Sequence, residues 1–334
     1  MLAFALRRLL ALPLLLLAVF TLVFLALRVL PGSAVDTLSS QLTSAHLREQ
    51  LVRELGLDRS LPEQYAITLG QILQGDFGRS FLTGREVGRM LATALPPTIE
   101  LAVASLLVMV AFGLLTGLVA AAAEGSALDW GLRGLAMVLF SVPWFWFGLL
   151  LVIVFSLWLG WLPPNGRLPA GIDYAPVTNF VLLDAALTGR WDLVGPWLRH
   201  LTLPALTVGL TTAGMLTRIA RDATIATARL DFVRTARMKG AGGLRVFLRH
   251  VLRNASLGIL TIVGVQFGAM LGGSVVAEVT FGYPGIGKML VDAVTGRDYA
   301  AAQGAALAIA TLYILVNLAT DLAYRAADPR LRRA

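Results

Sequence analysis

The 334-residue sequence predicts an all-α integral membrane protein with about six transmembrane helices. Three observations carry this. Hydrophobic residues make up 57% of the chain and charged ones only 14%, against about 25% charged in a soluble domain. Six uncharged runs approach the roughly 20 apolar residues that cross a hydrocarbon core about 30 Å thick. Lysines and arginines, finally, gather between alternate runs instead of spreading evenly. The absence of cysteine excludes disulfides, thiolate metal sites and a cysteine nucleophile.

The first run, Leu9 to Leu27, follows Arg7 and Arg8. Its 19 uncharged residues exceed a signal-peptide core and no small-x-small site follows, so it reads as a retained first helix within segment 1–30. Segment 31–97 is then a polar module with two short helices. Leu47, Leu51, Val52 and Leu55 share one helical face, and Ser60-Leu-Pro-Glu63 reads as a capping box opening a helix with Tyr65, Leu69 and Ile72 on one side. Pro96-Pro97 marks the return into the membrane, and residues 98–334 form the core. There the second span lies between Glu100 and Glu124, and the third starts after Arg133 and ends near Leu162. The fourth and shortest lies between His200 and Arg218, the fifth runs Ala255 to Ala277, and the sixth sits between Asp298 and Asp321.

Orientation follows from the basic residues. With the N-terminus inside, inner segments hold sixteen Lys and Arg, and the two short outer loops hold five. Both termini are therefore expected in the cytoplasm. Polar positions inside the runs are few. Gly264, Gly268 and Gly272 recur every fourth residue in the fifth run, where helix backbones can approach closely, either within the chain or across a subunit interface. Gln266, in the same run, is a candidate pathway residue.

Gly282-Tyr-Pro-Gly-Ile-Gly287-Lys288 has the spacing of a phosphate-binding loop. Met289 stands where a magnesium-holding hydroxyl belongs, and a membrane helix, not a strand, precedes it. No ATPase is expected in this chain, nor a metal site: His46, His200 and His250 fall on both sides of the membrane.

The inner loop, about 222–254, is the informative one. From Arg218 to Arg253 there are nine Lys or Arg against Asp222 and Asp231. Residues 231–239 suit a helix that Gly240 stops, with Phe232, Thr235, Ala236 and Lys239 on one face. The residues alone leave three readings: a solvated basic loop, a DNA-binding helix, or a docking helix for a cytoplasmic motor.

This stretch resembles the loop shared by ABC importer permeases, with its E-A-A…G consensus. Thr235-Ala236-Arg237 stands at the E-A-A positions, without the glutamate, and Gly240 at the glycine. Phe232 to Gly240 is similar to the Phe-Val-Arg-Thr-Ala-Arg-x-Lys-Gly run of the dipeptide, oligopeptide and nickel permease branch. Further motifs of that branch are Leu55-Gly-Leu-Asp58, Gly75-Asp-Phe-Gly-Arg-Ser80, Leu95-Pro-Pro-Thr-Ile-Glu100, Gly160-Trp-Leu-Pro-Pro164, Phe281-Gly-Tyr-Pro-Gly-Ile-Gly287, Arg297-Asp-Tyr299 and Asp328-Pro-Arg330. The resemblance implies the type I importer permease fold in a bacterial or archaeal inner membrane. It implies a second permease subunit, two cytoplasmic ATP-binding subunits that carry ATP and magnesium, and an external substrate-binding protein. No nucleic acid partner, cofactor or catalytic residue is expected for this chain itself. Asp231, Phe232, Arg234, Thr235, Ala236, Arg237, Lys239 and Gly240 would form the helix that couples to the ATPases. Di- and oligopeptides are the implied cargo, with nickel chelates or oligosaccharides as alternatives within the branch. An ion-coupled transporter is the rival outside it, and such carriers place acids within their spans, whereas here acids flank the runs.

Overall fold

The computed structural model describes residues 2–29, 58–172 and 174–327. Among these the chain is helical throughout, apart from loops and one isolated bridge between Arg79 and Glu86. The expected helix through Leu47 and Leu55 lies outside the described residues, as does Asp328-Pro-Arg330.

Helix α1 (Leu2–Val29) is the first span, and it packs along the final helix. Its buried Phe20 and Phe24 meet Tyr65, Leu69 and Ile72 of α2 (Leu61–Leu73), the face expected from the sequence. Glu63 accepts from the Ser60 backbone N–H at 3.0 Å, which closes the start of α2.

The second span, α3, runs Val87–Ala122 and opens well before the proline pair. Pro96 and Pro97 sit inside it and Glu100 lies within its buried side. The third span is not one straight helix. Helix α4 (Ala127–Ser141) and α5 (Trp144–Leu151, prolonged by a wide turn Val152–Trp158) meet at 107°. Pro143 forces the break, because the residue before a proline is driven out of helical geometry, and Val142 is extended.

After the short helix α6 (Val181–Thr188), the fourth expected span becomes α7, Val194–Ala228, longer than the apolar run and central to the bundle. It packs on α3, α4, α5 and the fifth span. Buried Thr207, Thr211, Thr212, Thr217 and Thr224 lower its hydropathy, and each returns its hydroxyl to a carbonyl one turn back. By length and apolarity four described helices can cross a membrane, or five with the bent pair, and α7 is not among them. It is the most enclosed helix of the bundle, so its own chain and not lipid supplies most of its surroundings.

Close packing of α7 on α3 rests on glycines. A Cβ at Gly117 would lie 2.7 Å from the Thr217 carbonyl oxygen, and one at Gly113 2.9 Å from Leu216 Cβ. Thr116 and Thr217 share a hydroxyl hydrogen bond of 2.8 Å at the same contact.

The chain continues through α8 (Asp231–Met238) and a short turn α9 (Gly243–Val246). Residues Phe247–Leu252 widen into π geometry and lead directly into α10 (Arg253–Thr280), the fifth span. Then come α11 (Ile286–Thr295) and the last span, α12 (Tyr299–Ala327).

Candidate coupling helix and buried carboxylate sites

Helix α8 matches its expected extent to within a residue. Gly240 adopts φ 78°, the left-handed conformation that glycine reaches without steric cost. Gly240 N–H donates to Arg237 O and Ala241 N–H to Ala236 O, which is the Schellman pattern of a helix end.

Which way α8 faces follows from burial. Val233 is fully buried among Val246 and Val251, and Ala236 packs into the same cluster. Phe232, Thr235 and Lys239, expected on the Ala236 face, are exposed, as are Asp231, Arg234, Arg237 and Gly240. Met238 is 80% exposed and Leu244, on the next turn, 73%. Val233 and Ala236 thus hold the helix to its own chain, and the outward face mixes apolar with basic side chains. Thr235 donates to the Asp231 carbonyl at 2.9 Å, and the Asp231–Arg234 contact is a loose 4.0 Å between exposed groups.

Upstream, α7 is tied to the turn between α3 and α4. Arg221 donates to both carboxylate oxygens of buried Asp129 at 2.7 Å, and Asp129 also accepts from Gly125 N–H at 3.0 Å. Arg229 reaches Glu124 at 2.7 Å. The segment leading into α8 is therefore fastened to the turn that joins α3 and α4.

The glycines of α10 divide. Gly264 and Gly268 are buried, and a Cβ at Gly268 would stand 2.7 Å from Asn317 Oδ1 of α12, so that contact is within the chain. Gly272 is exposed and open. It borders an apolar cavity of about 490 Å³ between α1 and α12, lined also by Leu15, Ile309 and Tyr313. Gln266 is half-buried.

Two buried carboxylates form a site that sequence reasoning missed. Glu100 and Glu278 lie within spanning helices, not outside them as the apolar runs suggest. Glu100 accepts from Arg167 Nη2 at 2.7 Å and Nε at 3.0 Å, from Val181 N–H at 2.7 Å, from Trp197 Nε1 at 3.1 Å and from Tyr283 Oη at 3.4 Å. One side chain of α3 thereby gathers the loop after Gly160, α6, α7 and the Tyr283 turn. Burial, helped by the Glu100 charge, pushes the Tyr283 phenol well above its ordinary range, so it stays a donor.

Glu278, fully buried, accepts from Thr98 Oγ1 at 2.8 Å and Lys288 N–H at 2.9 Å, and Thr98 Oγ1 accepts from Ile286 N–H at 2.8 Å. This accounts for the phosphate-loop spacing of Gly282 to Lys288. The loop does lead into a helix N-terminus, but the acceptor that meets it is the chain's own Glu278 side chain. The Lys288 ammonium turns away to Asp292.

The separate motifs thus meet in space: Pro96-Pro97-Thr98-Ile99-Glu100 with Tyr283 to Gly287, and Ser80 with Asp298 through a short hydroxyl–carboxylate bond. Spacing along the chain could not show this, since Glu100 and Tyr283 are 183 residues apart.

Comparison with known proteins agrees with this architecture. The family described as "Binding-protein-dependent transport system inner membrane component" matches residues 113–333, and its N-terminal counterpart matches residues 1–102. The chain is 39% identical over 333 residues to the di/tripeptide transport system permease protein DppB of Pseudomonas aeruginosa (strain UCBPP-PA14), covering 99% of both. It is 35% identical over 337 residues to the dipeptide transport system permease protein DppB of Escherichia coli (strain K12), again covering 99% of both. Among solved structures, an inward-facing MetNI methionine ABC transporter superposes with a TM-score of 0.55 over 72% of this chain and 96% of that one. At 15% identity that likeness concerns the fold alone. The chain belongs to the binding-protein-dependent transport system inner membrane component family and is an ABC importer permease of the peptide-transport type.

Proposed function

We propose that this permease carries di- and tripeptides inward, forming the pathway with a second permease and driven by two cytoplasmic ATP-binding subunits fed by an external binding protein. Both termini lie in the cytoplasm in this reading, which rests on the distribution of lysine and arginine. The supporting observation is α8. A helix of eight residues, fastened by Val233 and Ala236, presents Phe232, Arg234, Arg237 and Met238 outward. Such a face suits a groove on another protein, with apolar anchors for affinity and arginines for register. Movement of the ATP-binding subunits would pass through α8 to α7, and through Arg221–Asp129 to the α3–α4 turn. The names of the DppB relatives support peptide as cargo.

The test is purification of the tagged chain from its native membrane in mild detergent, with mass spectrometry of what accompanies it. Recovery of a second permease and Walker-motif ATPases, with ATP-dependent dipeptide uptake in liposomes, is the expected result. The double variant Phe232→Ala/Met238→Ala should keep membrane insertion and lose at least tenfold of that uptake. Uptake by the chain alone under an ion gradient, without ATP, would overturn the proposal.

A further inference from the structure

We propose that α6 is an interfacial helix that beds its leucine face in the lipid leaflet on the Glu100 side of the membrane. The helix is inside out for one that faces water. Its only charged residue, Asp184, is 1% exposed and points into the chain. There it accepts from Tyr174 Oη at 2.6 Å, from Thr178 N and Oγ1 at 2.7 Å, and from Val177 N at 3.3 Å. Val181 and Ala185 complete the inward face. Leu182, Leu183 and Leu187 point outward and are 46%, 53% and 66% exposed. A helix in water shows the reverse arrangement.

Depth identifies what covers this face. The Val181 N–H is bonded to Glu100 Oε1 at 2.7 Å, so the start of α6 is fixed to α3 at that level. The uncharged stretch of α3 between Glu124 and Glu100 is about 35 Å long at the helical rise. This slightly exceeds a hydrocarbon core of about 30 Å, so Glu100 stands at its edge and α6 begins there. Aromatic side chains mark the same level. Trp197, two residues before Arg199 on α7, donates to Glu100, and Arg199 donates to the carbonyl of Trp161. Trp161 and Trp191 are 59% and 62% exposed, as expected of a ring of tryptophans at a membrane surface. An eight-residue helix with polar anchors inward and leucines outward, held at this depth, rests on acyl chains.

The cysteine-free sequence makes the test direct. Single cysteines at Leu183→Cys and Leu187→Cys carry a nitroxide label in the full chain, reconstituted in phosphatidylcholine–phosphatidylglycerol vesicles alone and with its co-purifying subunits. Leu107→Cys, exposed in mid-span, is the lipid reference, and Arg79→Cys is the aqueous one. Ala186→Cys, exposed on the same helix, serves if either leucine variant fails to insert. The expected result is Leu107-like behaviour, with oxygen collisions several-fold more frequent than collisions with a water-soluble nickel chelate. A nickel-dominated response like that of Arg79 would overturn the proposal in favour of a water-facing surface. Exclusion of both reagents only in the assembled transporter would overturn it in favour of a protein partner.

Discussion

Replacement of Glu100 by alanine should unfasten the Glu100 side of the permease, and the size of the effect can be worked from its contacts. The carboxylate holds a guanidinium that is itself buried, with the Arg167 and Glu100 side chains 9% and 6% exposed. Removing one partner of a buried pair leaves an uncompensated charge, at a cost of about 3–5 kcal/mol. The three remaining donors, Val181 N–H, Trp197 Nε1 and Tyr283 Oη, lose their acceptor as well. For a chain of 334 residues a loss of that order lowers Tm by roughly 4–7 °C. The assay is thermal unfolding of the detergent-purified chain for wild type, Glu100→Ala, Glu100→Met, Arg167→Met and the double variant Glu100→Met/Arg167→Met. The reasoning requires strong coupling, because an apolar pair of similar volume removes both charges together. The double variant should therefore melt above Glu100→Ala by at least about 2 kcal/mol in equivalent stability. Equal melting of Glu100→Ala and wild type would refute the account, and strictly additive losses would show that the charges do not depend on each other.

Three other outcomes follow from the packing. Gly117→Val should cost about 1–3 kcal/mol by forcing α3 off the Thr217 backbone, whereas Gly134→Ala, with open space around it, should gain a few tenths to about 1 kcal/mol; thermal melting compares them. Glu278→Ala should raise hydrogen exchange of the Gly287 and Lys288 amides about tenfold, with Glu278→Gln between it and wild type, since the lost acceptor acts as the cap of α11. Asp184 concerns pH. Burial pulls its pKa up, but the hydrogen bonds from Tyr174, Thr178 and Val177 prevail and hold it below the ordinary carboxylate range. A pKa depressed by folding adds stability above the unfolded value, about 3.9, and that stability is lost as pH falls through the folded value. Limited proteolysis of the 174–188 segment should therefore rise only below about pH 4, and Asp184→Asn should be cut readily at neutral pH.

Much of the bundle is legible in the sequence, because lipid allows few solutions: every apolar run must satisfy its own backbone, and a helix does so. The capped start of α2, the left-handed Gly240 and the extent of α8 were equally readable, since each depends on neighbours within a few residues. The break at Pro143 was missed because the run stays apolar on both sides of it. Chemistry was there in Val142-Pro143, but hydropathy does not register it. Which side of α8 meets its own chain is not legible for a different reason. Helical spacing groups residues on a side without saying which side meets the chain, and Val233, with Val246 and Val251 beneath it, decides that.

The buried acids are the harder lesson. An acid beside an apolar run looks like a marker of the membrane edge, and Glu100 lies inside the long helix α3. Its work is nonetheless to bind inward, since four donors from distant segments reach it. Glu278 goes further and accepts the Lys288 N–H in the first turn of α11, across the glycine-rich turn. Both carboxylates are saturated by donors of their own chain, unlike the acids of an ion-coupled carrier, which must exchange ligands during each cycle. The Glu100 cluster links α3, α6, α7 and the Tyr283 turn at one end of the bundle, and Asp129–Arg221 links α3, α4 and α7 near α8 at the other. Between them, α3 and α7 lie in contact at Gly113 and Gly117, where an added Cβ would collide with α7, so the two ends are joined by a helix pair with little room to deform.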